Sequence, residues 1–444
     1  MNPLKALCVV ALLATAVCGN QHYRQSSSSS SSSMKPSQWL SRSQLEKTPA
    51  LDEVSVKSLE NMPLEQGAKL LKTIYHVSQI NNPLPQSYAP NPSSVPVYIV
   101  KSNGQKESTT LDKFADTANQ QPNFGKQEVT IFITGQPASS CESVEKANHE
   151  LVQAYMERYN AQRQKPRSYD YDRHDKKSNS NSYRDDDNSE WETPKHASGH
   201  LVIIDLGEKL QNLKQHAMLD ASEVGAKIAR QITKLDCRKD IIHIVAQSTA
   251  AHVAGECGKE FKRLTGNKLY RITALDPSKL YSQDPESLHG LARGDAIFVD
   301  AIHTSAHGMG TPARVANADF FPNGPSEGVP GANNVVEACM RATRYFAESV
   351  RPGNERNFPA VESESLQSYK KHNGYGKRVY MGIECDDDLE GDYILEVDSH
   401  KPFGKRTPAQ KSKAEQQQQQ QQQRQRSSSK SWKKSSSSSS EDDE

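Results

Sequence analysis

In the stretch His243 to Gly255, HIVAQSTAAHVAG, the residue placed to do chemistry is Ser248. A β-branched run, DIIHIV, leads into it, and AAHVAGECGKEF, with helical character, follows. A serine on a tight strand-to-helix turn presents its hydroxyl as a nucleophile, and such a strained turn closes where the residues two before and two after are small. Those positions hold Ala246 and Ala250. Alanine is small enough to let the turn close, although it lacks the backbone freedom of glycine. A serine so placed does acyl transfer, provided a neighbouring base takes its proton and an acid orients that base. Losing a triad member typically costs about four to six powers of ten in rate.

The elements that must position this serine are legible around it. From Val95 onward, short apolar runs alternate with helical segments: VPVYIV, EVTIFITG, HLVIIDLG, DIIHIVAQS, YRITALDP and DAIFVDAIHT. Several are apolar at nearly every position, as strands buried on both faces of a parallel sheet are. Between the third and fourth runs, Val224, Ile228, Ile232 and Leu235 share one helical face, with Lys227, Arg230 and Lys234 elsewhere. The alternation predicts an α/β fold: a mostly parallel central sheet flanked by helices, with right-handed crossovers. The pattern stops between Glu157 and about His196, where dense charge and small polar residues predict an exposed insertion.

The flanks have other roles. Residues 1–19 read as a secretory signal peptide: Lys5 gives the positive region, Leu7 to Ala16 is too short to span a bilayer, and Val17 and Gly19 mark the cleavage site. Residues 20–94 begin with the serine run Ser26 to Ser33 and end in a proline-rich linker. Between them Leu64, Ala68, Leu71 and Ile74 predict a helix. The folded domain is expected over 95–400, and residues 401–444 form a Gln- and Ser-rich tail. Only 34% of the 444 residues are apolar, as expected when polar additions surround a folded centre. The net charge of +1 gives no reason to expect a nucleic-acid partner, and no second long apolar run exists to span a membrane. Removal of the signal leaves Cys141, Cys237, Cys257, Cys339 and Cys385, an odd number whose pairing the sequence does not fix. No CxxC pair or His/Cys cluster points to a metal, and nothing calls for a cofactor.

The serine stretch resembles that of the animal lipase family, which includes pancreatic and lipoprotein lipases and carries Gly-His-Ser-Leu-Gly-Ala-His-Val-Ala-Gly there. ITALDPSKL, from Ile272 to Leu280, resembles the family segment bearing the triad aspartate, which assigns Asp276 to the acid position. VDAIHT, from Val299, and ADFFPNG, from Ala318, match two further blocks in the same order. The resemblance covers roughly residues 95 to 350 and implies the α/β-hydrolase fold. It fails at the base. EACMRATRYFAES aligns Arg341, Tyr345, Phe346, Glu348 and Ser349 with the family's His-x-Arg-Ser block, and the histidine position falls on Cys339. The first oxyanion-hole segment also departs, reading Thr134-Gly135-Gln136. His303 sits at a non-catalytic family position, and His307 lies in SAHGMGTPARV, a lid-like stretch.

A secreted lipase-like chain without its base and with serine-rich flanks resembles the yolk-protein (vitellogenin) family of the higher flies. That resemblance implies a non-catalytic nutrient store, secreted into haemolymph, captured by an oocyte endocytic receptor and later degraded to feed the embryo. It also implies homo- or hetero-oligomers with related yolk proteins. Tyr169 and Tyr171 in SYDYDRHD, and Tyr183 before RDDD, are candidates for sulfation; Ser438, Ser439 and Ser440, ahead of EDDE, are candidates for acid-directed phosphorylation. Two alternatives stand beside storage: a carboxylic-ester hydrolase using Ser248, and a carrier of a lipid or steroid conjugate.

Overall fold

Among the described residues, eleven strands in one sheet form the spine of the chain. The structure is a computed structural model that describes residues 48–80, 87–101, 104–161, 199–279, 290–306, 308–325, 328–372 and 376–405. In chain order the elements begin with helices α1 (Val56–Glu60) and α2 (Leu64–Ile80), then strands β1 (Pro96–Val100) and β2 (Lys106–Thr110) and helix α3 (Phe114–Asn119). Next come β3 (Glu128–Ile133), α4 (Glu142–Ala161), β4 (Gly199–Ile204), α5 (Leu213–Met218), α6 (Ala221–Lys234), β5 (Ile242–Gln247), α7 (Ala250–Thr265), β6 (Leu269–Leu275) and β7 (Ala296–Ile302). The last part holds β8 (Ala318–Pro322), α8 (Val335–Val350), β9 (Pro359–Glu362), α9 (Leu366–Lys371), β10 (Arg378–Tyr380) and β11 (Gly391–Leu395).

From β4 through β3, β5, β6, β7 and β8 to β11 every pairing is parallel, and the two edges are antiparallel. β3 and β5 are buried at every position, which is why they read as continuous apolar runs. Helices α6 and α7 cover one face, where Ile228, Val253 and Phe261 join the strand side chains. Helices α4 and α8 cover the other, bringing Leu151, Tyr155 and Phe346. The expected stripe on α6 holds: Val224, Ile228 and Ile232 are buried and Arg230 and Lys234 exposed. This is the α/β-hydrolase arrangement. Its register matters for function: Ala246 pairs with Ile133 and Gln247 with Leu275, so the C-terminal ends of β3, β5 and β6 share one rim.

Several expectations need correction. The six apolar runs account for β1, β3, β4, β5, β6 and β7, while β2 and β8 to β11 were not anticipated. β2 reads KESTT and β10 only RVY, polar or short edge strands that bury too little to leave a periodic signature. α4 continues to Ala161, so the polar insertion starts after the helix rather than at Glu157. At the C-terminal end, Phe403 is buried, and the Phe403 and Gly404 amides donate to Glu348, which carries the fold past residue 400. The segment before residue 95 holds short helices, as expected, but the sequence did not show that they pack onto the domain. Val54, Val56, Leu59, Leu71 and Ile74 enter a core cluster with Val335 and Cys339 of α8, while Leu64 is 36% exposed despite its place in the predicted stripe.

Candidate functional site

Ser248 leaves β5 with its amide donating to the Leu275 carbonyl at 2.9 Å, and its φ is +49°. That is the left-handed conformation, costly for any residue but glycine, and it is the strain a nucleophile elbow stores. Ala246 is the last residue but one of β5 and Ala250 opens α7, so the turn forms with alanines at both small positions. The neighbouring loop crosses close above: a Cβ at Gly135 would lie 1.9 Å from the Gln247 carbonyl oxygen, so glycine alone fits there. One residue on, the Gln136 amide donates from Nε2 to Ser248 Oγ at 2.9 Å. Gln136 Oε1 is buried with no hydrogen-bond partner among the described residues.

Asp276 directly follows β6 and is also left-handed, with φ +52°. Its Oδ1 accepts from the amides of Thr304 and Ser305, both at 2.8 Å, and its Oδ2 accepts a short hydrogen bond from the Ser305 hydroxyl. Gly310 presses against this carboxylate: a Cβ there would stand 2.5 Å from Oδ1. Cys339 comes from the second turn of α8, whose start is capped by Asn334 accepting from the Glu337 amide. The Thr304 hydroxyl donates to the Cys339 carbonyl at 3.3 Å, and Asp276, Ser248 and Ser305 are the polar groups that act on its thiol. The structure thus brings together Ser248, Asp276 and Cys339, the three positions assigned from the sequence.

What the cluster can do follows from the thiol. Burial, then the charge of the Asp276 carboxylate beside it, push Cys339 well above the usual thiol range, so it is neutral at physiological pH. A neutral thiol has no basic site for the serine proton, and forming the thiolate here would place two anions together in a dry interior. Among the described residues, no imidazole is bonded to Ser248. His303 lies between the Thr311 carbonyl and Asp319, at 2.9 and 2.8 Å, stacked on Phe321. His252 binds the Ser278 carbonyl and the Leu291 amide. His216 binds Thr249 Oγ1 at 2.8 Å and the Leu210 carbonyl at 3.1 Å, and burial lowers its pKa to about 4.

Access is closed as well. Ser248, Asp276 and Cys339 are each 0% exposed. A cleft of about 580 Å³ lies elsewhere, beside β9 and β11, lined by Arg314, Glu362, Tyr369 and Asp392 among others. Sequence reasoning noted the unusual Thr134-Gly135-Gln136 segment but missed that the glutamine side chain takes the serine hydroxyl. It also missed that Thr304 and Ser305 hold the acid. Their position directly after the VDAIH block was the available signal.

Tyr169, Tyr171, Tyr183, Ser438, Ser439, Ser440, His307 and residues 1–19 lie outside the described residues. Among those described, the five cysteines are unpaired, no group of three His, Cys, Asp or Glu side chains is arranged for a metal, and no helix is long and apolar enough to cross a membrane.

A family model described as Lipase matches residues 93–403. Vitellogenin-1 of Ceratitis capitata is 50% identical over 420 residues, covering 93% of this chain and 96% of that one. Vitellogenin-3 of Drosophila melanogaster is 49% identical over 410 residues, covering 91% and 97%. Pancreatic lipase-related protein 2 of Cavia porcellus is 34% identical over 156 residues, covering 32% and 35%.

Proposed function

Because this chain belongs to the lipase family and shares half its residues with fly vitellogenins over nearly its whole length, we propose that it is a yolk storage protein built on a lipase fold that does no ester chemistry. The observation that carries the reading is the state of Ser248. Its hydroxyl is buried, bonded to Gln136, and faces a neutral thiol where a base must stand. A serine so placed has neither a proton acceptor nor a route to an ester.

On this reading the chain is secreted, reaches the oocyte through an endocytic receptor, and is consumed as a nutrient reservoir. Oligomers with related yolk proteins, sulfation at Tyr169, Tyr171 or Tyr183, and phosphorylation at Ser438, Ser439 or Ser440 belong to the same reading. So does a bound lipid or steroid conjugate. Mass spectrometry of the secreted protein tests the modifications, and solvent extraction followed by small-molecule analysis tests the ligand.

The alternative, a carboxylic-ester hydrolase, has one observation in its favour: Ser248 and Asp276 both keep left-handed backbones at adjacent strand ends, as a working elbow needs. The decisive experiment assays short- and long-chain esters with wild type and Ser248→Ala. We expect no turnover above background in either; activity in the wild type that Ser248→Ala abolishes would overturn the storage reading.

A further inference from the structure

We infer that the cleft beside β9 and β11 is a docking site for the chain's own C-terminal tail. Trp432 seats in it, with the neighbouring lysines on its carboxylates and the terminal acids on its arginines. The inference does not depend on the storage reading.

The cleft, of about 580 Å³, carries fixed charges of both signs. Arg293 donates from Nε to the Ala316 carbonyl at 2.6 Å, and Arg314, two residues before Ala316, donates from Nε to Asp392 Oδ2. Each guanidinium is thus held by its Nε, and its terminal nitrogens donate to no other described residue. Glu362 ends β9 and Glu364 lies in the turn beyond it. Both are exposed, and neither has an ion pair among the described residues. Ser363 between them is tied to β11, its amide donating to the Asp392 carbonyl at 3.0 Å. Val361 and the half-buried Tyr369 add an aliphatic surface and an aromatic ring. A purely acidic ligand is repelled by the two glutamates, and a purely basic one by the two arginines. The cleft therefore suits a ligand that carries both signs and a ring, which a guanidinium and a tyrosine can stack against.

The tail holds all of these in one run, KSWKKSSSSSSEDDE, from Lys430 to Glu444. Lys430, Lys433 and Lys434 surround Trp432, and four acids end the chain. Its point of departure lies at the cleft. Val397 bridges to Gly404, and the Asp398 amide donates to the Phe403 carbonyl at 2.8 Å, so the chain turns back toward the end of β11. There Lys405 pairs with Glu396 at 3.1 Å, and both charges act on the Tyr369 hydroxyl. Trp432 lies 27 residues beyond Lys405. A Gln- and Ser-rich chain of that length has an r.m.s. reach of roughly 25–30 Å. The tail therefore meets the cleft at an effective concentration of about millimolar, so even a weak complex forms within one molecule. One other run sets a tryptophan among charges of both signs, RDDDNSEWETPKH around Trp191. It joins β4, six strands along the sheet from β11.

The test uses the secreted full-length protein with Trp39→Phe and Trp191→Phe, so that fluorescence reports Trp432 alone. Its emission is expected to lie to the blue of that of a synthetic peptide of residues 424–444. Acrylamide is expected to quench it about threefold more slowly than the peptide, as for a tail docked about two-thirds of the time. Glu362→Gln with Glu364→Gln is expected to bring emission and quenching to the peptide's values while the far-UV spectrum stays unchanged. Lys430→Glu, Lys433→Glu and Lys434→Glu together are expected to expose Trp432 in the same way. Adding Glu362→Lys and Glu364→Lys to those three is expected to restore the shielding, a rescue that loss of folding cannot give. Raised salt is expected to release the tail from the unaltered cleft. Four results would each overturn the proposal: Trp432 as exposed in the full chain as in the peptide, shielding that survives loss of both glutamates or raised salt, a charge exchange that restores nothing, and shielding that disappears on dilution. The last of these would seat Trp432 on a second copy of the chain.

Discussion

The acid side and the base side of the buried cluster differ in what their side chains hold up. Asp276 is a structural fastener: one carboxylate accepts two backbone amides and a hydroxyl from the Thr304–Ser305 turn, inside a glycine-tight pocket. Cys339 fastens nothing comparable. Its thiol occupies volume between α8 and the strand ends, stays neutral, and its neighbours have other partners. The contrast teaches that a catalytic constellation comes apart unevenly in energetic terms. An acid that also satisfies backbone donors is costly to replace, whereas a base that only moves a proton can be replaced by any side chain of the right size.

The largest expected effect tests the first half of that contrast. Asp276→Ala leaves two buried amides and a hydroxyl without an acceptor, at roughly 3–5 kcal/mol in total. Urea denaturation should show the midpoint falling accordingly with an unchanged slope. A loss below about 1 kcal/mol would remove the distinction between the two sides.

His216 extends the comparison to the elbow's outer flank, because its bonds suit only the neutral ring. The Leu210 carbonyl takes the Nε2 proton, and Nδ1 accepts from Thr249. Its folded pKa of about 4 lies below the unfolded value of about 6.5, so between those pH values the unfolded chain binds more protons. The stability it contributes is therefore present above about pH 6.5 and is lost as pH falls toward 4, by about 3 kcal/mol in all. Asp295 works in the opposite sense. Burial raises it to about 6 from 3.8, so the folded chain binds the extra proton and gains stability as pH falls through that window. Wild type alone thus shows a shallow profile. The difference between wild type and His216→Gln isolates the histidine and should shrink by about 3 kcal/mol from pH 7 to pH 4.

Strain at the serine is the next measure. Ser248→Ala loses the bond to Gln136 and should cost about 1–2 kcal/mol. Ser248→Gly loses the same bond but relieves the left-handed backbone. The penalty of about 1–2 kcal/mol for a Cβ there exceeds glycine's extra entropy in the unfolded chain, leaving the glycine variant the more stable by roughly 0.5–1 kcal/mol. Thermal denaturation of the pair checks the sign, and an alanine variant as stable as the glycine one would mean that the elbow stores no strain.

Much of this architecture was legible because it rests on long, doubly buried strands. VTIFI, IHIVAQ and RITAL announce parallel β-structure by composition alone, and the elbow follows from the strand that precedes it. The site positions came from motif order, which placed Cys339 where the structure brings a thiol to Ser248 and Asp276. The closure of the site was not legible. Val56, Leu59, Leu71 and Ile74 look like any short amphipathic stretch, and nothing in their spacing says which distant surface they cover. Gln136 shows the same limit, since a glutamine in a loop carries no sign that its amide ends on a serine from another strand.

The smallest effect tests the second half of the contrast. Cys339→Ala removes one sulfur atom from a fully buried position, with a transfer and cavity cost of about 1 kcal/mol. Asp276 keeps its two amides and the Ser305 hydroxyl, and Ser248 Oγ still accepts from Gln136. The substitution also deletes a group whose only charged form is disfavoured by burial and by Asp276. The unfolded thiol ionises at about 8.5 while the folded one stays neutral, so the wild type's advantage should be flat from about pH 6 to pH 7.5 and shrink by roughly 1 kcal/mol by pH 9. Chemical denaturation across that range reads both quantities. A cost above about 3 kcal/mol, or a difference that grows as pH rises, would make Cys339 a fastener like Asp276 and collapse the asymmetry between the two sides.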